Sequence, residues 1–205
     1  NGICYHSVDL HDGYLDYYRG GDMTYYEDQR IADDYFYWLK SELGIKTEVS
    51  DTGLGPNGFA ARPWPYDEKY HPTRWVTDKG IDFLRKRDHD RPFFLTLSYV
   101  RPHPPFDAPQ AFFDMYRDKE LRAPLWGDWS DAGLLKQEGR IVDSRTGPID
   151  PGLRRAAQAG YYASITQLDY EIGRVMEAMK EHRLNPDNTI VMFVSDHGEM
   201  LCDHG

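Results

Sequence analysis

Cysteine is almost missing from this chain: Cys4 and Cys202 are the two in 205 residues. Thiols that far apart form neither a metal-binding pair nor a disulfide scaffold, although sequence alone leaves a single bridge open. No apolar run approaches the roughly 20 residues of a membrane-spanning helix, and no signal-peptide pattern is visible. Excess positive charge is lacking too. Lys and Arg number 24 against 34 Asp and Glu, a net charge of -10, which argues against a nucleic-acid partner. The short basic clusters Arg85-Lys86-Arg87 and Arg154-Arg155 lie among acids and read as solvated faces. There is no H-E-x-x-H zinc motif and no glycine fingerprint of a P-loop or dinucleotide fold, the string at 53–58 being broken by Pro56.

What is present is ordinary for a globular protein with a sizeable core: 40% apolar and 28% charged residues. Tyrosine is the compositional oddity, with 15 copies. Most are read as packing. Trp64 and Tyr66, in the aromatic loop at 59–70, could offer a stacking surface for a sugar or aryl ring.

Along the chain, residues 1–23 show no clean period. From Glu27, Ile31, Tyr35, Trp38, Leu39 and Leu43 fall at helical spacing, and Gly44 supplies a stop. Glycines and prolines make residues 52–72 a long loop, after which Thr73 is expected to cap a helix reaching about Arg87, with Val76, Phe83 and Leu84 inward. Residues 93–99 (FFLTLSY) and 190–194 (IVMFV) read as buried strands, the second without polar alternation and so covered on both faces. Between them come a proline-rich insertion, with a short helix expected around 110–116, and an amphipathic helix over 156–183. Its stripe is Tyr161, Ile165, Leu168, Ile172, Val175, Met176 and Met179, and Asn185-Pro186-Asp187-Asn188 breaks it. Strand, helix, strand predicts an α/β fold with a mainly parallel sheet and helices on both faces. The expected organisation is one partial catalytic domain over 1–205, loop-rich with one helix over 1–72 and a sheet-and-helix core over 73–205 that holds an insertion at 100–155. With no covering helix after the last strand, the chain reads as an incomplete, internal piece of a larger domain.

Two segments carry chemistry. The 190–194 strand stops at Asp196-His197-Gly198, at the carboxyl end where α/β folds gather ligands. A carboxylate and a neutral imidazole suit a divalent cation, provided that the chain leaves strand geometry there, which Gly198 permits. An Asx turn beside a surface histidine is the alternative. The second segment, after the 93–99 strand, is Arg101-Pro102-His103-Pro104-Pro105. Prolines hold His103 with little entropy left to lose, so near a cation it could donate a proton to a leaving group; a purely structural loop histidine is the alternative. Asp88-His89-Asp90, between two arginines, reads as a solvated turn.

Both segments, PFFLTLSYVRPHPPF and SDHGE, together with the helix GYYASITQLDYEIGRVMEAM between them, resemble the sulfatase branch of the alkaline phosphatase superfamily. The resemblance is close over 91–205 and weak over 1–50. It implies an alkaline-phosphatase-like fold and metal-dependent hydrolysis of sulfate esters, of small molecules or saccharides, by a formylglycine mechanism. It also implies Asp196 and His197 as metal ligands, Ca2+ foremost with Mg2+ or Mn2+ as alternatives. His103 would be the catalytic residue on the ester, with Glu199 and His204 in supporting roles. Cys4, in ICYHS, does not fit the family's C/S-x-P-x-R nucleophile motif, so the formylglycine is expected upstream and this chain alone is expected to be inactive. The family's N-terminal aspartate pair, and a lysine following shortly after Gly205, are likewise not found here. Phosphonate or phosphate ester hydrolysis, and non-catalytic anion binding, are the alternative functions.

Overall fold

A computed structural model of the chain describes residues 34–44, 46–47, 49–55, 58–129 and 150–204. Two compact units divide it, Asn1–Asp51 and Thr52–Gly205. In the first, helix α1 (Asp34–Leu43) buries Tyr35, Phe36 and Leu39. Gly44 ends it as expected. At a φ of +112° it takes the left-handed turn that a side chain would strain, and its N–H bonds the Lys40 carbonyl at 3.0 Å. The part of the expected helix at 27–33, with Ile31, lies outside the described residues.

In the second unit, helix α2 (Pro72–Lys86) begins two residues earlier than a cap at Thr73 would have started it. Pro72 pre-sets the helical φ and has no N–H to leave unpaired, so His71 becomes the cap, its Nδ1 accepting the Thr73 N–H at 3.2 Å. Trp75, Thr77, Gly80 and Leu84 are buried, whereas Val76 and Phe83 are only partly covered. Residues 93–99 lie extended along this helix. Leu95, Leu97 and Tyr99 are partly covered while Phe94, Thr96 and Ser98 face out. Leu97 fits over Gly80, where an added Cβ would come within 2.7 Å of it, and the Tyr99 hydroxyl meets that of Thr77 at 3.0 Å.

Beyond the proline loop, Phe106 forms a parallel bridge with Ala61, and the Phe106 and Ala108 carbonyls accept the N–H groups of Arg62 and Trp64 at 3.2 and 3.1 Å. Helix α3 (Gln110–Asp114) follows, burying Phe112 and Phe113 against Ala108 and Ala163. The long helix α4 (Pro151–Glu181) starts five residues before the hydrophobic stripe suggested. Asp150 accepts the Gly152 and Leu153 N–H groups at 2.8 and 3.1 Å, and Pro151 sits at the first helical position. Its most buried face is not the apolar stripe but small and polar: Ala157, Gly160, Ser164, Gln167 and Glu171. Ile165 and Met176, expected inward, are 40% and 41% exposed. Small residues admit close neighbours, Gly160 leaving room for Phe106 and Phe113, and the Glu171 carboxylate answers Arg174 at 2.5 Å and Arg74 of α2 at 3.5 Å.

The expected parallel sheet does not form among the described residues. Residues 93–99 pack on one face only, and Ile190, Val191, Met192, Phe193 and Val194 are 57–91% exposed rather than covered on both faces. Apolar composition states what a segment would gain from burial, but a ladder also needs neighbouring backbone, and no described segment supplies it. The break before this segment is as expected, a 3-10 turn at Pro186–Asn188 capped by the Asn185 side chain.

Candidate active site

Asp196 and His197 follow the exposed extended segment. The chain bends at Asp196 itself, and Gly198, expected to make the turn, keeps a negative φ. The turn is fixed by local hydrogen bonds. Asp196 Oδ1 accepts the His197 N–H at 2.9 Å, and Ser195 donates to the His197 carbonyl at 2.8 Å. His197 Nδ1 donates to the Gly198 carbonyl at 3.0 Å, leaving Nε2 3.7 Å from Asp196 Oδ2. Sequence left open whether adjacent residues could serve one ion. Here the bend turns both donor atoms to the same place.

The charges follow from these contacts. The backbone N–H of His197 holds the Asp196 carboxyl below the usual carboxylate range, with the His197 charge adding to it. The bond to the Gly198 carbonyl raises the His197 pKa, and the Asp196 charge raises it further. An ionised carboxylate and an imidazole whose second nitrogen is already held by a carbonyl make a suitable oxygen and nitrogen pair for a divalent cation. Their 3.7 Å separation lets one ion at oxygen distances of about 2.3–2.6 Å reach both. The donor set therefore fits, with two protein donors; no group of three or more His, Cys, Asp or Glu side chains is gathered for an ion among the described residues.

His103 stands at the exposed tip of its loop. Its N–H bonds the Val100 carbonyl at 3.0 Å, and its Nδ1 donates to the Pro104 carbonyl at 2.7 Å. A carbonyl can only accept, so Nδ1 carries the proton in this contact, and Nε2 is the ring nitrogen it leaves unheld. His103 has only the smallest of the effects on the Asp196 carboxyl, and the shared sheet edge expected to join the two segments does not form among the described residues.

Other sequence expectations resolve differently. Trp64 is 4% exposed, with Tyr66 and His71 set edge-on to it, so it packs the interior rather than offering a stacking surface. Asp88-His89-Asp90 is the exposed turn expected, closed by Asp88 accepting the Asp90 N–H. His204 is structural: Nδ1 accepts the Gly127 N–H at 3.2 Å and its ring lies 4.3 Å from that of Trp129. Burial pushes the Cys202 thiol up, so it stays protonated near neutrality and is a poor nucleophile. Cys4 lies outside the described residues.

Sequence reasoning missed a buried ionic cluster beneath His103. Arg101 Nε and Nη2 grip the two Asp107 oxygens, each at 2.6 Å, and His71 Nε2 lies 3.7 Å from the same carboxylate. All three side chains are at most 1% exposed. Burial alone would raise the Asp107 pKa; the Arg101 charge and its hydrogen bonds, with His71 close by, outweigh it and hold the carboxyl below its ordinary range. The available signal was an aspartate between apolar neighbours, Phe106-Asp107-Ala108, which rarely goes inside without a partner.

The chain is similar, over 83% of its own length and 37% of the other, to the solved phosphonate monoester hydrolase of Agrobacterium radiobacter, with a TM-score of 0.66 and 24% identity. That likeness gives the class: an alkaline-phosphatase-like fold. A family model described as Sulfatase matches residues 9–205, and the chain belongs to the sulfatase family. It is 43% identical over 204 residues to an arylsulfatase of Clostridium perfringens, covering 98% of this chain and 42% of that protein. It is 30% identical over 181 residues to the iduronate 2-sulfatase of Homo sapiens, covering 78% of this chain and 33% of that one. The chain thus spans about two fifths or less of the length of these curated relatives.

Proposed function

We propose that this chain contributes half of a catalytic centre that hydrolyses sulfate esters, with Asp196 and His197 as ligands of a divalent cation and His103 as the residue that meets the ester. The observation that carries the reading is the approach of Asp196 Oδ2 and His197 Nε2 to 3.7 Å at the bend. Membership of the sulfatase family supports sulfate among anionic esters, and the names of the relatives support aryl or saccharide sulfates as the substrate class.

Asp196 contributes negative charge and His197 a neutral nitrogen, which requires that His197 release its proton before it ligates. A cation held there, Ca2+ in our reading with Mg2+ or Mn2+ as alternatives, supplies positive charge where negative charge builds on the non-bridging sulfate oxygens. His103 acts from Nε2. Protonated, it donates that proton to the bridging oxygen as the sulfur-oxygen bond breaks, so the alcohol leaves neutral and the imidazole is left neutral. The Nδ1 bond to Pro104 keeps the ring aimed through both states. The nucleophile is expected to be a formylglycine upstream of this chain.

The test is turnover of an aryl sulfate, an aryl phosphonate and an aryl phosphate by the protein that carries this sequence, with and without His103→Ala. The sulfate is expected to be fastest, and loss of His103 is expected to slow it by about 100-fold or more. Faster phosphonate or phosphate turnover would transfer the reading to those esters. Binding of sulfate esters without turnover would leave an anion-binding relative.

A further inference from the structure

His103 is useful to a reaction only if its ring keeps one position, yet it projects from a loop that is open to solvent. The loop is closed at its base. Arg101 and Asp107, six residues apart, join through two charge-assisted hydrogen bonds of 2.6 Å each in the parallel fork geometry that gives arginine-carboxylate pairs their directional strength. The third arm of the same guanidinium, Nη1, donates to the His103 carbonyl at 3.4 Å. One buried group therefore touches the end of the loop and its tip.

The base is in turn fixed to the body of the unit. Phe106 and Ala108, which flank Asp107, are 1% and 0% exposed, and their carbonyls take the N–H groups of Arg62 and Trp64. His71, which caps α2, has its Nε2 3.7 Å from Asp107 Oδ1, the oxygen that Arg101 Nε also meets. Because His71 Nδ1 accepts the Thr73 N–H, the proton of its neutral ring is on Nε2, the nitrogen facing Asp107. A buried ion pair of this kind is a doubtful source of stability, since desolvation cancels much of its attraction, and apolar side chains of similar volume often replace such a pair without loss. Specification of one loop geometry is the role that the contacts describe.

We propose that Arg101 and Asp107, braced by His71, are positioning residues for His103: a buried clamp that holds the loop so that the His103 ring keeps its Nδ1–H on the Pro104 carbonyl and presents Nε2 outward. The inference rests on the catalytic reading of His103 for its functional consequence, and on geometry alone for the clamp. Neither Arg101 nor Asp107 touches the ester; both act through the loop.

The experiment uses the protein that carries this chain, isotope-labelled at histidine, and the double variant Arg101→Met/Asp107→Leu, which removes the clamp without stranding a buried charge. Imidazole nitrogen spectra read the His103 tautomer, and steady-state kinetics on an aryl sulfate are run alongside. The parent is expected to show one His103 species protonated at Nδ1. The variant, with a Tm close to the parent, is expected to show mixed tautomers and a kcat lowered about 10-fold or more, with KM changed by less than about 3-fold, as when an interaction made only in the transition state is weakened. Arg101→Lys, which keeps the charge and loses the fork, is expected to fall between the two and is read in the same way if the double variant does not fold. A folded variant with parent-like His103 spectra overturns the clamp whatever its turnover. Parent-like turnover of sulfate by His103→Ala would sink the catalytic reading instead, while leaving the spectra free to decide the clamp.

Discussion

At the scale of single residues, the chain separates charges that hold structure from charges left open for chemistry. Asp107 is buried and gripped, whereas Asp196 and His197 are 89% and 63% exposed at the side chain, with Asp196 ionised by local bonds. The two kinds respond to acid differently. Asp107 has a folded-state pKa below its unfolded value, so its contribution to stability is complete above about pH 4 and is lost as pH falls through the depressed value. Thermal unfolding of the parent is therefore expected to weaken more steeply with acid, below about pH 4, than that of Arg101→Met/Asp107→Leu. Equal slopes would show that the pair carries no such linkage. The sequence made Asp196, His197 and His103 visible because each interrupts a recognisable pattern, a strand end or a proline run. Arg101 and Asp107 were hidden because a pair formed across a loop leaves no periodic trace, only the oddity of a charge among apolar neighbours.

At the scale of elements, helix ends decided where periodicity could not. Asp150 and Pro151 start α4 before its first apolar turn, and the cap takes two otherwise unpaired N–H groups. Asp150→Ala is expected to cost about 1 kcal/mol, measurable as a lower urea midpoint with an unchanged slope; no change would mean that the first turn contributes nothing. Helices α1, α2 and α4 were legible in outline from apolar spacing together with Gly44, Pro72 and the break at Asn185-Pro186. Which face of α4 is buried was not legible. Hydrophobic spacing points at Ile165 and Met176, but Gly160 allows close contact with Phe106 and Phe113, and Arg74, Asp78, Glu171 and Arg174 join α2 to α4 by ion pairs, one of them between Arg174 and Asp78 at 2.6 Å. Close packing and charge partners are properties of pairs of elements, which one element's pattern does not contain.

At the scale of the molecule, the apolar segment at 190–194 is the largest departure from expectation. Five consecutive apolar side chains there are 57–91% exposed, with no ladder among the described residues. No described helix is long and apolar enough to cross a membrane. The sulfatase match spans 9–205, and the motifs that carry the proposed chemistry all lie in the half after residue 100, where the wording of the sequence is most specific.

The account turns on Asp196, His197 and His103 forming one centre. The most direct measurement is aryl sulfate turnover across a Ca2+ titration, by the protein that carries this chain and by its Asp196→Asn, His197→Ala and His103→Ala variants, each matched to the parent by Tm. Asp196→Asn and His197→Ala are expected to need about 10-fold or more Ca2+ for half-maximal activity, whereas His103→Ala should lose kcat at an unchanged Ca2+ requirement. Parent-like turnover and Ca2+ dependence in the Asp196 and His197 variants would contradict the account.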